Sequence, residues 1–428
     1  MRRAFVLLAL LAVAGCANQS PTTVPSPKVV ASPSGLSTST LVPPSSNPTS
    51  TGRPPFIDPG GAGYDMGRLD ATSGWALVVQ GLGSPGQAVT RLMLTDDNGA
   101  TWRDGTPAAI GVGTAIVDFL DKDNAWVLQP VPASTGLSSS LWRTSDGGRH
   151  WTTGTLPLKA IFEAAISFVD PEVGYLALVP DLGPDNRPTV FYTTADGGST
   201  WTRVGMVPEV PQSWPPERPF AFFTKSDGLL VTGMALQTHD GGHSWTPIDL
   251  PQPPDVPSKP TTDVSRLVIA GGTVMVSVQF YWKTGNTYTY APGYEYVSHD
   301  LGRTWTLAWP GAVGLYPRSA IVAVDDSTWF RFPDYLGSIP GDGYTKDFSV
   351  THDGGLNWTM VTAALPTGTH FDAESFSSAL DGWAIISADA HCPAGSACAY
   401  SGGLPGQLVE TADGGRTWQV AAATGQGS

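Results

Sequence analysis

Basic side chains are scarce in this chain. Lys and Arg number 23 against 37 Asp and Glu, a formal net charge of −14 over 428 residues. That balance argues against a surface that tracks nucleic-acid phosphates, so no nucleic acid is expected as a partner, and it offers little to anionic lipid headgroups. Cysteine is nearly absent: Cys16, Cys392 and Cys398 are all there is. A disulfide-dense scaffold is thereby excluded. Apolar stretches long enough to span a bilayer are missing too, since the run at 4–14 is too short. Catalytic signatures are equally thin. No His-Glu-x-x-His occurs, and no Gly-x-Ser-x-Gly stands in a strand–turn–helix context.

What the chain has instead is one short phrase written seven times. The copies are "TDDNGATW", "TSDGGRHW", "TADGGSTW", "THDGGHSW", "SHDLGRTW", "THDGGLNW" and "TADGGRTW". Their aspartates are Asp97, Asp146, Asp196, Asp240, Asp300, Asp353 and Asp413. Each copy reads Ser or Thr, any, Asp, any, Gly, any, any, Trp. Asp accepts hydrogen bonds from nearby backbone N–H groups and Gly takes positive φ, which together make a hairpin turn. The Trp is a large plate for packing between sheets. Chemistry at a catalytic Asp is not needed seven times, so these aspartates are expected to be structural. Five of the seven His (150, 239, 243, 299 and 352) fall in the same turns and form no ligand cluster, so no metal or other cofactor is expected.

A looser phrase precedes each copy: "SGWALVV", "NAWVLQ", "VGYLALV", "DGLLVTG", "GTVMVSV", "STWFRF" and "DGWAII". Another apolar stretch usually stands before it. Each unit therefore supplies four short strands, A to D, with the Asp phrase at the C–D turn. Seven such units predict an all-β fold, a seven-bladed β-propeller of four antiparallel strands per blade.

The phrase resembles the BNR or Asp-box repeat, and the stretch 64–421 resembles the propellers of sialidases and some other glycosidases. The "GWA…DGG.TW" form also resembles propellers of the photosystem II stability/assembly factor type. A sialidase-like activity would imply an early Arg-Ile-Pro strand, an arginine triad, an Asp acid/base and a Tyr–Glu pair. No Arg-Ile-Pro occurs here. Arg68 lies in the right kind of strand but in a different context, and Arg218 and Arg331 stand in loops. Tyr294–Glu295 reads as strand C. Asp65, Asp118, Glu163 and Glu374 are the only acids placed near the axis.

The N-terminus begins "MRRAFVLLALLAVAGC", a secretory signal whose "VAGC" resembles a bacterial lipobox, with a lipid on Cys16. Residues 1–15 are thus expected to be removed and 16–55, rich in Ser, Thr and Pro, to be a disordered tether. Residues 56–428 would be the propeller, exported, lipid-anchored to the cell membrane and monomeric. An export context favours a Cys392–Cys398 disulfide. A metal site there with His391 would lack a fourth ligand.

In a propeller the C–D turns line one rim and the B–C and D–A loops the other. The B–C segments lengthen in units 5, 6 and 7, and the D–A connection before unit 4 is long. These segments carry Trp214, Tyr281, Trp282, Tyr288, Tyr290, Tyr335 and Tyr344. Exposed aromatics of this kind stack on sugars or grip peptides. The expectation is a non-enzymatic propeller recognising a glycan or an extracellular protein or peptide through this face. The alternatives are a divergent glycoside hydrolase and an envelope or complex assembly factor.

Overall fold

The computed structural model describes residues 63–80, 89–111, 115–131, 138–181, 188–208, 220–231, 234–257, 260–285, 287–310, 320–332, 347–366, 369–388 and 407–421. These residues form seven four-stranded antiparallel sheets, each built from consecutive strands in chain order. Blades 1 to 7 span residues 63–104, 116–154, 161–207, 220–247, 261–310, 320–362 and 369–420. The inner strands of blades 2 and 3, 3 and 4, 5 and 6, and 6 and 7 lie side by side, as do those of blades 7 and 1; the second strand of blade 4 lies against the inner strand of blade 5, and Trp75 of blade 1 packs on Phe119 of blade 2. The ring is therefore closed. Gly63–Arg68 is the innermost strand of blade 1 and Gln419–Val420 the outermost of blade 7, so among the described residues no strand is exchanged at the closure.

Two local turns shape every blade, and they meet on one rim. In the C–D turn of blade 1, the Thr95 hydroxyl donates to Asp97 Oδ1 (2.9 Å) and accepts from the Gly99 N–H (3.0 Å). The same Ser/Thr, Asp and Gly contacts recur in the other six blades, through Thr144, Thr194, Thr238, Ser298, Thr351 and Thr411. The A–B turn is its counterpart. Asp70, Asp121, Asp170 and Asp325 each accept from two backbone N–H groups further along the turn, and Thr224 and Ser378 do the same with a hydroxyl. Blade 5 has Gly271–Gly272 there, and the acceptor comes from blade 6: Asp326 Oδ1 takes the N–H groups of Gly272 (2.5 Å) and Thr273 (3.2 Å).

Neighbouring blades interlock through a recurring stack. Trp75 lies on Phe119, Trp126 on Phe168 (3.5 Å between centroids), Tyr175 on Phe222 (3.5 Å) and Phe330 on Phe376 (3.8 Å). Each pair joins the second strand of one blade to the inner strand of the next. At the closure Trp383 of blade 7 occupies the same place, and its partner in blade 1 is Arg68, whose guanidinium sits 4.5 Å from the ring centroid. Arg68 also donates to Asn98 Oδ1, which accepts from the Trp383 indole N–H as well, and Asn98 donates to Glu410 Oε2. Met66, Met93, Trp102, Trp383 and Leu408 bury the rest of this seam.

Candidate functional site

The Asp-turn rim is chemically occupied. Asp196 accepts from the Thr194 hydroxyl and from both the N–H and hydroxyl of Thr200. The Thr200 and Thr194 hydrogen bonds pull its pKa down to about 2. Burial opposes ionisation of Asp146 and Asp240, but hydrogen bonds outweigh it and both also fall to about 2. The turns then dock onto their own A–B turns: the N–H groups of Asn98, Gly147, Gly197, Gly241, Gly354 and Gly414 each donate to a carbonyl there. A small crevice of about 270 Å³ on this rim is lined by Leu156, Pro157, Ser199, Thr200 and Trp201.

The opposite end of blade 5 is different. Its second and third strands, Thr273–Thr284 and Thr287–Ser298, have 12 residues each, where the second strands of the other blades have 4 to 7. The lengthened segment that the sequence suggests is a loop is a paired hairpin, with Tyr281 opposite Tyr290, Trp282 opposite Thr289 and Lys283 opposite Tyr288. Side chains alternate along a strand, so Tyr281, Lys283, Tyr288 and Tyr290 share one face. Tyr281 lies 5.6 Å from Tyr290 and 6.1 Å from Tyr288 between centroids, and Lys283 Nζ sits 5.4 Å from the Tyr288 centroid. Tyr288 and Tyr290 are 53% and 40% exposed. Burial, with Asp263 and the two neighbouring tyrosines, raises the Tyr281 pKa.

Trp282 belongs to the other face, half-buried against the blade 5 core. The structure therefore gathers three of the sequence-named tyrosines and separates Trp282 from them. Trp214, Tyr335 and Tyr344 lie outside the described residues, as do Cys16, Cys392 and Cys398.

Four of the residues weighed for glycosidase chemistry, Asp118, Arg68, Tyr294 and Glu295, are tied into the scaffold, and Arg218 lies outside the described residues. Asp118 Oδ2 accepts from the Phe168 N–H of the next blade (2.8 Å). Ser167 and Ser375, at the same inner-strand position, do likewise for Phe222 and Arg68. Arg68 is the interlock at the ring closure, where burial lowers its pKa against the pull of Asp381, Glu410 and Asp70. Tyr294 is fully buried and donates to both oxygens of Asp255 (2.7 and 2.8 Å). Its neighbour Glu295 is buried with the Ser277 hydroxyl donating to it (2.6 Å). Among the described residues no group of three or more His, Cys, Asp or Glu is placed to hold a metal ion.

The interlock escapes the motif reading, yet its signal is in the sequence. Phe119, Phe168, Phe222 and Phe376 each stand six positions before the residue that opens the second strand motif, Ala125, Gly174, Gly228 and Gly382, and Arg68 stands likewise before Gly74.

No family model matches the chain, and no curated protein does. Solved structures resemble it. YCF48 bound to D1 peptide matches with a TM-score of 0.44 and 17% identity, over 72% of this chain and 82% of that one. A polysaccharide lyase, an ulvan lyase bound to a saccharide, matches with a TM-score of 0.47 and 11% identity, over 85% and 96%. A mutant Aleuria aurantia lectin in complex with α-methyl-L-fucoside gives 0.38 and 12%, over 89% and 99%. At these identities the likeness extends to fold alone.

Proposed function

We propose that this protein is a non-enzymatic binding propeller, displayed from a lipidated Cys16 on a Ser/Thr/Pro-rich tether, that holds a glycan or protein partner on blade 5. The observation that carries this reading is the tyrosine face of the long hairpin. Tyr281, Tyr288 and Tyr290 stand together with Tyr288 and Tyr290 open to solvent, although the same rings could have been buried. Tyrosine offers a rigid apolar plate with a polar tip and dominates many recognition surfaces. The hairpin is also well supported. The Tyr294 hydroxyl donates to Asp255 and the Tyr296 hydroxyl to the Pro251 carbonyl, which anchor the third strand below the hairpin. Such a site costs little to order on binding.

The test is a glycan array and a pull-down from the surface fraction of the native cell, both with the full-length protein and its Tyr288→Ala variant. Specific capture that weakens at least tenfold in the variant, with unchanged melting temperature, supports the reading. Turnover of a glycan by the wild type would replace it with the glycoside hydrolase alternative.

A further inference from the structure

Resting on the binding role proposed above, we infer that the ligand of the blade 5 hairpin is an acidic saccharide, stacked on Tyr281 and Tyr290 with its anionic group at Lys283 beside Tyr288. Three observations converge. The described side chains of the face are aromatic and polar: Tyr281, Lys283, Tyr288 and Tyr290 share it, and Trp282, Thr284, Thr287 and Thr289 take the opposite face. A protein-docking patch centres on apolar and aromatic anchors that exclude water. A pyranose asks for something else, a flat ring for its C–H face and polar groups at the edges to meet its hydroxyls.

The second observation is shape. Beyond Tyr281, which still pairs with Thr261 of the inner strand, the face is the side of a two-stranded ribbon on which Tyr288 and Tyr290 are exposed. An open ribbon suits a chain laid along it better than a small molecule that must be enclosed.

The third is charge. Lys283 stands exposed near the hairpin tip, with its ammonium over Tyr288. Asp263 lies at the root of the hairpin beside Tyr281. The face is thus cationic at the tip and acidic at the base. Within a chain of net charge −14, a cation set among tyrosines provides local complementarity to an anionic group and fixes the direction in which a ligand lies. Carboxylate and sulfate share this chemistry, so the saccharide could be uronic or sulfated.

The experiment uses the full-length protein against matched oligosaccharides: neutral, uronate-bearing and sulfated. Wild-type protein is expected to bind one or both acidic sets at least tenfold more tightly than the neutral one, and the stronger arm identifies the anion. Lys283→Gln should abolish that preference, bringing the acidic affinity down to that of the neutral set. Tyr288→Ala and Tyr290→Ala should weaken all sets, with melting temperatures within a degree or two of wild type because both rings are exposed. Acidic binding untouched by Lys283→Gln and Tyr288→Ala overturns the inference and leaves the binding role intact at another site. Equal affinity for neutral and acidic sets overturns the charge assignment. Binding of a protein partner alone, lost in Tyr288→Ala, overturns the saccharide and keeps the site.

Discussion

The Asp turn is written almost entirely by residues within five positions of one another. A Ser or Thr hydroxyl both donates to the Asp and accepts from the Gly N–H, and the Asp takes up the N–H four residues on. Asp196→Ala removes three hydrogen bonds, and a loss of stability on the order of 1 kcal/mol or somewhat more is expected in a denaturant melt. Acid should act on all seven turns together. A carboxylate whose pKa is lowered by folding stabilises the fold above its unfolded value and loses that contribution as pH falls through the folded one. With the ordinary carboxylate value of 3.8 falling to about 2 at Asp146, Asp196 and Asp240, the melting temperature should drop between about pH 4 and 2. Asp196→Asn should show a shallower drop than wild type, and an identical slope would assign the acid sensitivity elsewhere. Two blades depart from glycine at the left-handed position, blade 1 with Asn98, a residue that tolerates it, and blade 5 with Leu301. Leu301 sits at φ 59° where five blades have Gly. Leu301→Gly relieves a left-handed strain of about 1–2 kcal/mol but adds unfolded-state freedom of about 0.5–1 kcal/mol. A small net gain in melting temperature is expected.

At the level of the strand and turn, legibility depends on how far away the partner lies. The seven turns and their flanking strands are plain in the sequence because their contacts are local. The blade 5 hairpin is not, because "QFYWKTGNTYTY" is far longer than the usual strand and carries a turn signal in its middle, so length suggests a loop. Its alternation of Tyr281, Lys283 and Tyr288, Tyr290 is the signal for a ribbon, and the same alternation places Trp282 on the other side. The borrowed cap of blade 5 is invisible for another reason, since Asp326 is separated from Gly272 by 54 residues. Asp326→Ala should therefore loosen blade 5 more than blade 6. Faster hydrogen exchange at the Gly272 and Thr273 amides, with the blade 6 turn amides of Ser327 and Thr328 unchanged, is the expected result, because Asp325 holds those two itself.

Across the whole ring, closure rests among the described residues on packed side chains and on the Arg68 N–H donating to the Ser375 hydroxyl, with no shared sheet. Trp383 is 0% exposed, and Trp383→Ala is expected to cost about 3–5 kcal/mol by calorimetry or denaturant melting. Arg68→Ala should cost less but expose the Trp383 indole, read as a red shift and easier quenching of its fluorescence against a background in which the other tryptophans are unmoved. The absence of an exchanged strand has a consequence for the order in which the chain can be written. Two of the connections between one blade and the next, 155–160 and 363–368, cross from an outer strand to the following inner strand in six residues. The gap from Val420 to Gly63 is the same crossing without its peptide link. Topologically the first blade is only a convention of synthesis: a bridge of similar length from residue 420 to residue 63, with new ends opened between residues 154 and 161, gives a circular permutant that should fold to the same ring, its old seam now covalent and a new one resting on Trp126 and Phe168.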